Sequence, residues 1–129
     1  MTEQNGTAEN KELDASQLFA DRKLEIQPVK LKSRGGLVYV RELRSDEHGE
    51  MNGHMWIDQP NGTRKFDEKH VDAWWAIYCC CDSNRKALFT EADLARVRRI
   101  PTKELSAIVA KAREINAIDD GAMQAASGN

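Results

Sequence analysis

The chain has 129 residues, of which 40% are hydrophobic and 31% are charged, and its 19 basic and 21 acidic side chains give a formal net charge of −2. This length corresponds to one ordinary domain with a single core, and the near-neutral charge excludes a global attraction to nucleic acid or anionic membranes. No apolar run approaches the roughly 20 residues that span a bilayer. The polar, acidic first 15 residues do not have the pattern of a signal peptide, so we expect a cytosolic setting.

The two ends of the chain are predicted to be flexible tails. Residues 1–13 lack hydrophobic periodicity and are too polar to bury enough surface to offset the entropy of ordering. Residues 119–129 are small and polar, and we expect them to fray as well. Residues 14–118 are predicted to form a single α+β domain. At its start, Asp14 or Ser16 can cap a short helix, because either side chain can accept the free amide hydrogens of a first turn.

A β-hairpin is predicted next. Apolar and polar residues alternate over residues 24–31, with a change of phase at Pro28 that indicates a bulge or an edge strand. Gly35 and Gly36 supply the positive φ angles that a two-residue hairpin turn needs, and residues 37–40 are strand formers. We therefore predict two strands joined by a Gly-Gly turn.

The following polar region is less regular. Ser45 can cap a short helix, which Gly49 and Gly53 would weaken. After it, Trp56 precedes a Pro-Asn-Gly turn and Phe66 follows it, so this segment is either a second small hairpin or an ordered loop. Periodicity leaves helical and extended structure equally open here.

A central buried helix is predicted over residues 67–81. No residue from position 74 to 81 is charged, and an all-apolar helix is buried on several sides. The following residues recur at helical spacing: Val71, Trp74, Trp75, Tyr78 and Cys81.

Two more helices are predicted towards the C-terminus. Thr90 can cap a short one, and Pro101 begins the last one, where its missing amide hydrogen does no harm. The inward stripe of the last helix is Leu105, Ile108, Val109, Ala112 and Ile115. Together these elements predict an α+β fold in which the N-terminal hairpin packs on a small bundle of three to four helices.

The three cysteines, which are consecutive at positions 79–81, are predicted to be structural. On a helix their side chains diverge by about 100°, so they cannot chelate one metal ion together. The partial negative charge of a helix C-terminus would raise a thiol pKa and oppose nucleophilic catalysis. The histidines lack zinc-site spacing, and the chain has no nucleotide-binding or hydrolase motif. We therefore predict no enzyme, no catalytic residue, no cofactor and no metal ligand.

A basic run contains Arg96, Arg98 and Arg99. Such a run can contact phosphates, but Pro101 breaks the helix that would align it and no aromatic residues are interleaved for base stacking. A solvated face or a contact with an acidic partner is favoured over nucleic acid.

The tryptophans are the predicted partner-binding residues. Trp74 and Trp75 are adjacent on the central helix, so both are buried only if that helix is packed on two sides. An exposed one would mark an interface, because aromatic side chains are enriched at binding hot spots. These two alternatives, an interface and a shared core, stay open. With Trp56 as a third candidate, the predicted partner-binding set is Trp56, Trp74 and Trp75.

Three segments, in order, resemble a known family. They are the strand "VYVREL", the segment "D-x-x-x-x-x-LFT-x-x-D" that starts at Asp82, and "INAIDD" near the end. With these segments the chain resembles the small tail assembly chaperones of long-tailed bacteriophages and prophages, over roughly residues 16–123.

The resemblance implies a non-enzymatic helper that binds the tape measure protein and keeps it soluble while tail tube subunits assemble around it. It further implies action in the host cytoplasm, absence from the mature virion, self-association, contact with the tail tube protein, and a longer frameshifted product. Two rival functions stay open: a minor phage structural or head-tail component, and a small nucleic-acid-binding regulator that uses Arg96, Arg98 and Arg99.

Overall fold

The computed structural model describes residues 11–118, so residues 1–10 and 119–129 of the predicted tails lie outside the described part. The helices and strands are α1 (Ala15–Phe19), β1 (Ile26–Leu31), β2 (Gly36–Arg41), α2 (Ser45–His54), β3 (Trp56–Asp58), β4 (Arg64–Phe66), α3 (Val71–Cys79), β5 (Cys80–Cys81), α4 (Leu94–Val97) and α5 (Thr102–Ile115). Short 3-10 turns precede β2, α3 and α4. The predicted α+β class is confirmed. Within residues 11–118, every helix is too short or too polar to cross a bilayer.

Helix α1 has the predicted cap. Asp14 Oδ1 accepts the Gln17 N–H at 3.0 Å, while Gln17 Oε1 accepts the Asp14 N–H at 2.9 Å, which is a reciprocal capping box with Asp14 as the cap residue. No residue of α1 is buried, and Leu18 and Phe19 are 70% and 83% exposed. This helix therefore presents large apolar side chains to solvent.

The segment between α1 and β1 is anchored to the rest of the fold. Arg22 donates two hydrogen bonds to the Glu42 carboxylate, at 2.9 and 2.6 Å, and Glu42 also accepts the Glu25 N–H at 3.0 Å. Arg85 Nε donates to the Leu24 carbonyl oxygen at 3.0 Å. The chain is thus held at the end of β2 and at the turn that follows β5.

The hairpin turn differs from the prediction. Strands β1 and β2 are antiparallel, with Leu31 opposite Gly36, so the turn has four residues, a 3-10 turn at Lys32–Arg34 followed by Gly35. Gly35 has φ 68°, whereas Gly36 begins β2 and has no positive φ. The predicted two-residue Gly-Gly turn is wrong, because the strand register leaves Gly36 inside the ladder.

Pro28 lies in an edge strand. The sheet order is β1-β2-β5, and the register through Pro28, which is opposite Tyr39, is unbroken. The Glu42 N–H bonds to the Glu25 carbonyl at 2.8 Å. By the alternation of an antiparallel ladder, Pro28 then occupies a non-hydrogen-bonded pair, where its missing N–H is not needed. Of the two predictions, the edge is confirmed and the bulge is wrong.

Helix α2 and the small hairpin after it are both present. The cap residue of α2 is Arg44 rather than Ser45, because Glu47, at the third helical position, accepts the Arg44 N–H at 3.0 Å. In the β3–β4 hairpin, Trp56 lies opposite Phe66, with the ring centroids 5.3 Å apart. The question that periodicity left open is therefore resolved as a hairpin.

The central helix is shorter than predicted. After a 3-10 turn at Glu68–His70, α3 runs only to Cys79. Cys80 and Cys81 then form β5, pairing with Val40 and Tyr39 of β2. The prediction that all three cysteines are helical is wrong, because the second edge of β2 has backbone groups that an extended segment satisfies.

The core surrounds α3, as predicted for an all-apolar helix. Helix α3 contacts α2, α4, α5 and β2. Its buried residues are Ala73, Trp74, Trp75, Ala76, Ile77 and Cys79. Helix α5 lies between α3 and the β1–β2 hairpin and buries four of its five predicted stripe residues, with Ile115 half-buried. The predicted packing of the hairpin on the helices is confirmed.

Asn116, at the end of α5, bonds to β2, to the segment after β2 and to α5 itself. Its Oδ1 accepts the Leu43 N–H at 2.8 Å. Its Nδ2 donates to the carbonyl oxygens of Arg41 at 3.3 Å and Ala112 at 2.9 Å. The asparagine of the "INAIDD" segment is thus a structural link between β2 and α5.

The two glycines of the hairpin provide a matched test of the turn. Gly35→Ala should lower the free energy of unfolding by about 1–2 kcal/mol, because an L-residue is strained at positive φ. Gly36→Ala should leave it unchanged or raise it by up to about 1 kcal/mol. No described atom lies within 4 Å of the Cβ that either alanine would add, so packing does not confound the comparison. Urea denaturation measures both, and equal effects would contradict the observed turn.

The stability that Glu42 contributes through its contacts with Arg22 and Glu25 should depend on pH. Its hydrogen bonds, first with Arg22 and then with the Glu25 N–H, lower the pKa of Glu42 from 4.5 to about 2. Because the pKa is lower in the folded state than in the unfolded state, the ionised Glu42 carboxylate stabilises the fold above pH 4.5. This contribution is lost as the pH falls towards 2. Carboxyl carbon shifts followed by NMR should show Glu42 titrating near pH 2. Glu42→Gln should speed amide exchange at Glu25, whereas Glu12→Gln, at an exposed site, should not.

Candidate functional site

An open apolar groove of about 580 Å³ lies where the turn end of the β1–β2 hairpin faces α4 and α5. Leu37 and Leu88 line it and are still 46% and 43% exposed. The deeper lining consists of core residues and residues packed on the core, among them Leu31, Val38, Val97 and Ile108. The groove is therefore an apolar surface continuous with the core and accessible from solvent.

The position of Leu88 follows from the turn after β5. Asp82 accepts the Lys86 N–H through its carboxylate at 3.0 Å and donates its own N–H to the Lys86 carbonyl at 2.9 Å. The chain therefore reverses, and the Leu88 N–H donates to the Cys80 carbonyl at 3.1 Å. Sequence reasoning did not single out the exposed Leu88 as a site residue. In the sequence, Leu88 is marked by being part of a Leu-Phe pair that follows a polar stretch and has no helical or strand periodicity.

Two ion pairs border the groove. Arg34 Nε lies 3.0 Å from Glu104 Oε1, and Ser33 Oγ donates to Glu104 Oε2 at 2.5 Å. These bonds, first that of Arg34, hold the pKa of Glu104 below its usual value. On the other side, Arg96 Nη1 lies 3.7 Å from Asp93 Oδ1.

The two ion pairs expose their basic partners. The Glu104 side chain is 9% exposed and the Arg34 side chain 59%. In the second pair, too, the arginine is the more exposed partner: the Asp93 side chain is 27% exposed and the Arg96 side chain 86%. The outer edge of the groove therefore presents positive charge, although each arginine has an acidic neighbour.

The rest of the basic run continues this edge along the chain. Arg98 and Arg99 are exposed and follow Val97, which lines the groove. Helix α4 ends at Val97 and α5 begins at Thr102, so the predicted break before the last helix is confirmed. Of the three arginines of this run, Arg96 lines the groove, and the three do not form one helical stripe.

The predicted tryptophans lie outside the groove. Trp74 and Trp75 are buried; Trp74 stacks on His54 with ring centroids 4.3 Å apart, and Trp75 meets the edge of His48 at 5.8 Å. A partner could reach these two side chains only if the surrounding helices moved. Trp56 is half-buried on the β3–β4 hairpin, and its neighbour Ile57 is 44% exposed. Of the three, Trp56 alone has appreciable accessible surface.

The cysteines are buried, free thiols. Burial raises the pKa of Cys79 and Cys80 to about 12 each, and it raises the pKa of Cys81 as well. The cause is loss of hydration, not the helix dipole that the sequence suggested. The prediction that the cysteines are compact core residues is confirmed.

A polar cluster lies beside Trp74. The Tyr78 hydroxyl is 2.6 Å from Glu50 Oε2 and 3.1 Å from Glu91 Oε2, and His54 Nε2 is 3.0 Å from the same Glu91 oxygen. Ligand-type atoms of Glu50, His54 and Glu91 lie within 4.8 Å of one another. The residues bond to each other, which explains their convergence without an ion. Only the i, i+4 spacing of Glu50 and His54 was visible in the sequence.

No family model matches the chain, and its sequence matches no curated protein. In structure, the chain is similar to the solved bacteriophage HK97 tail assembly chaperone, with a TM-score of 0.54. The chain has the fold of a tail assembly chaperone. The match covers 93% of this chain and 100% of the HK97 chain at 14% sequence identity. The expected fold is therefore confirmed over nearly the whole length.

The buried thiols should be inert in the folded protein. Ellman's reagent should modify none of the three cysteines within minutes under native conditions, because only the thiolate attacks and burial disfavours it. All three should react in denaturant. A native thiol that reacts at the rate of free cysteine would contradict the buried, neutral state.

Proposed function

We propose that the protein is a phage tail assembly chaperone that binds the tape measure protein and keeps it soluble while tail tube subunits assemble around it. The observation that carries this proposal is the likeness in fold to the HK97 tail assembly chaperone, which extends over that whole chain. The protein acts without catalysis, in the host cytoplasm, and is left out of the mature virion.

The physical task suits a small binding protein. A tape measure protein is long, helical and partly apolar, so before assembly it exposes apolar helix faces that drive aggregation. A chaperone for it needs accessible apolar side chains that can cover such faces. Ile57 on the β3–β4 hairpin offers one such side chain, next in sequence to the predicted partner-binding residue Trp56.

Co-expression with the tape measure protein of the same phage genome is the direct test. The tape measure protein should move from the insoluble to the soluble fraction and co-purify with this chain. Ile57→Asp should reduce the recovered complex, because it places a charge beside Trp56 at an exposed position where the fold tolerates it. A tape measure protein that stays insoluble with the unaltered chain would refute the proposal.

Mass spectrometry of purified particles separates the rival structural role. A chaperone should be absent from mature virions or present only in traces. Stoichiometric presence would instead identify a minor tail or head-tail component.

A further inference from the structure

We propose that the groove is a docking site for an acidic amphipathic helix of a partner protein. The inference rests on the proposed function for the source of that helix, which is a segment of the tape measure protein. It adds the class of segment that is bound and the place where it binds. The residues that line the groove do not include the β3–β4 hairpin, so this contact is separate from the one at Ile57.

The apolar part of the groove is formed before any partner binds. Leu37 and Leu88 remain exposed at its open side, whereas Val97 and Ile108 in its lining are buried residues of the core. A concave apolar surface that is accessible to solvent marks a binding site for apolar side chains. Because its deeper lining belongs to the core, little conformational entropy is lost in ordering it on binding.

The two walls of the groove are tied together. Glu104 of α5 accepts hydrogen bonds from Ser33 at 2.5 Å and from Arg34 at 3.0 Å, and both donors belong to the turn of the β1–β2 hairpin. The Glu104 side chain is almost fully buried. This link fixes the turn of the hairpin against α5 and so keeps the groove open at a set width.

The backbone at the groove favours a helical partner over an extended one. The residues of β2 that line the groove are Gly36, Leu37 and Val38. The Glu42 N–H bond to the Glu25 carbonyl sets the alternation of the β1–β2 ladder. Gly36 and Val38 therefore bond to β1, and only Leu37 directs its backbone groups away from it. One residue is too little to hold an added strand, whereas a helix satisfies its own backbone and docks through side chains at i, i+3, i+4 and i+7.

The charge at the groove favours an acidic partner. Arg34 and Arg96 are well exposed, whereas their partners Glu104 and Asp93 are turned inward. Such an edge attracts and orients an acidic helix and opposes a basic one. Nucleic acid would satisfy the arginines but leave the apolar lining uncovered. An acidic amphipathic helix matches both the charge and the apolar area.

Labelled peptides of about 20 residues, long enough to form a helix on binding, test the class of partner against the full chain. Two of them share leucines at helical spacing, and their flanking positions are glutamate in one and lysine in the other. A third has the acidic composition in scrambled order, without an apolar stripe. Fluorescence anisotropy should show that the acidic amphipathic peptide binds about tenfold or more tightly than either of the others. Equal binding of all three, or no binding, would overturn the proposal.

Matched variants locate the contact. Leu88→Asp and Arg96→Glu should each weaken binding of the acidic peptide by about tenfold or more, as loss of an interface hot spot does. Ile57→Asp is the control for the first, because its exposure is similar and it lies outside the groove. Arg64→Glu is the control for the second, because Arg64 is also an exposed arginine beside a carboxylate, that of Asp58. Both controls should retain the affinity, and circular dichroism confirms that each variant is folded. Controls that weaken binding as much as the groove variants would overturn the proposal.

Methyl NMR of the unaltered chain locates the contact without any substitution. Titration with the acidic peptide should shift the methyl signals of Leu37 and Leu88 and leave those of Ile57 in place. Shifts confined to Ile57 would overturn the assignment of the peptide to the groove.

Overlapping peptides that span the tape measure protein of the same phage genome test the source of the helix. Those that combine acidic residues with a helical apolar stripe should displace the designed acidic peptide. A tape measure protein that the chain solubilises, although none of its peptides competes, would overturn the inference and leave the proposed function standing. Peptides of that protein that bind in the groove, while the full-length protein stays insoluble with this chain, would refute only the proposed function.

Two other occupants of the groove would give different outcomes. If a second copy of the chain occupies it, Leu88→Asp should lower self-association in sedimentation equilibrium, and the acidic peptide should not bind. If nucleic acid occupies it, a single-stranded oligonucleotide should bind, lose affinity in Arg96→Glu and keep it in Leu88→Asp. Either pattern would overturn the proposal.

Discussion

The burial of α3 from Ala73 onward is the constraint on which the rest of the structure depends. A nine-residue helix with six buried residues has no solvent-facing stripe, so other elements must cover it on all sides. Helices α2, α4 and α5 and strand β2 supply that cover. Trp75, which is fully buried, lies at the centre of this arrangement, and loss of its ring would leave a cavity that costs about 3–5 kcal/mol.

The end of α3 also builds the groove. Because Cys80 and Cys81 leave the helix to pair with β2, the chain emerges beside the hairpin and not at the far end of a longer helix. The Asp82 turn then brings Leu88 back against Cys80. A helix that continued to Cys81 would carry this loop elsewhere. The three cysteines therefore act through their small volume and, for Cys80 and Cys81, through their backbone pairing.

Features that depend on local pattern were predictable from the sequence. The Asp14 cap, the inward stripe of α5, and the all-apolar central helix all follow from residues within one or two helical turns of each other. The turn at Gly35 is set by the register between β1 and β2, and the end of α3 by pairing with the distant strand β2. Neither was predictable, because strand pairing and its register are not encoded in local pattern. Glu104 is a further case: its buried carboxylate is bound by Ser33 and Arg34, about 70 residues earlier. Periodicity contains no information about such partners.

The candidate site shows the same division. The groove combines side chains from the hairpin, the loop after β5, α4 and α5, so no single segment of the sequence could indicate it. The basic run around Arg96 was visible, and a solvated face or an acidic partner was favoured for it over nucleic acid. What the structure adds is the apolar lining between those arginines and the hairpin. It also shows that Trp74 and Trp75, for which an interface and a shared core were both open, are buried in the core.

The near-zero net charge of the chain conceals a separation of charge along it. The carboxylates of Asp93 and Glu104 are turned inward by their arginine partners, which leaves the guanidinium groups as the outer charges at the groove. In residues 12–21, which include α1, all the charged side chains are acidic. The chain therefore has two surfaces of opposite outer charge, each with exposed apolar side chains beside it. A surface that combines charge with apolar area favours specific over nonspecific association. A wrong partner must leave either the charge or the apolar area unmatched.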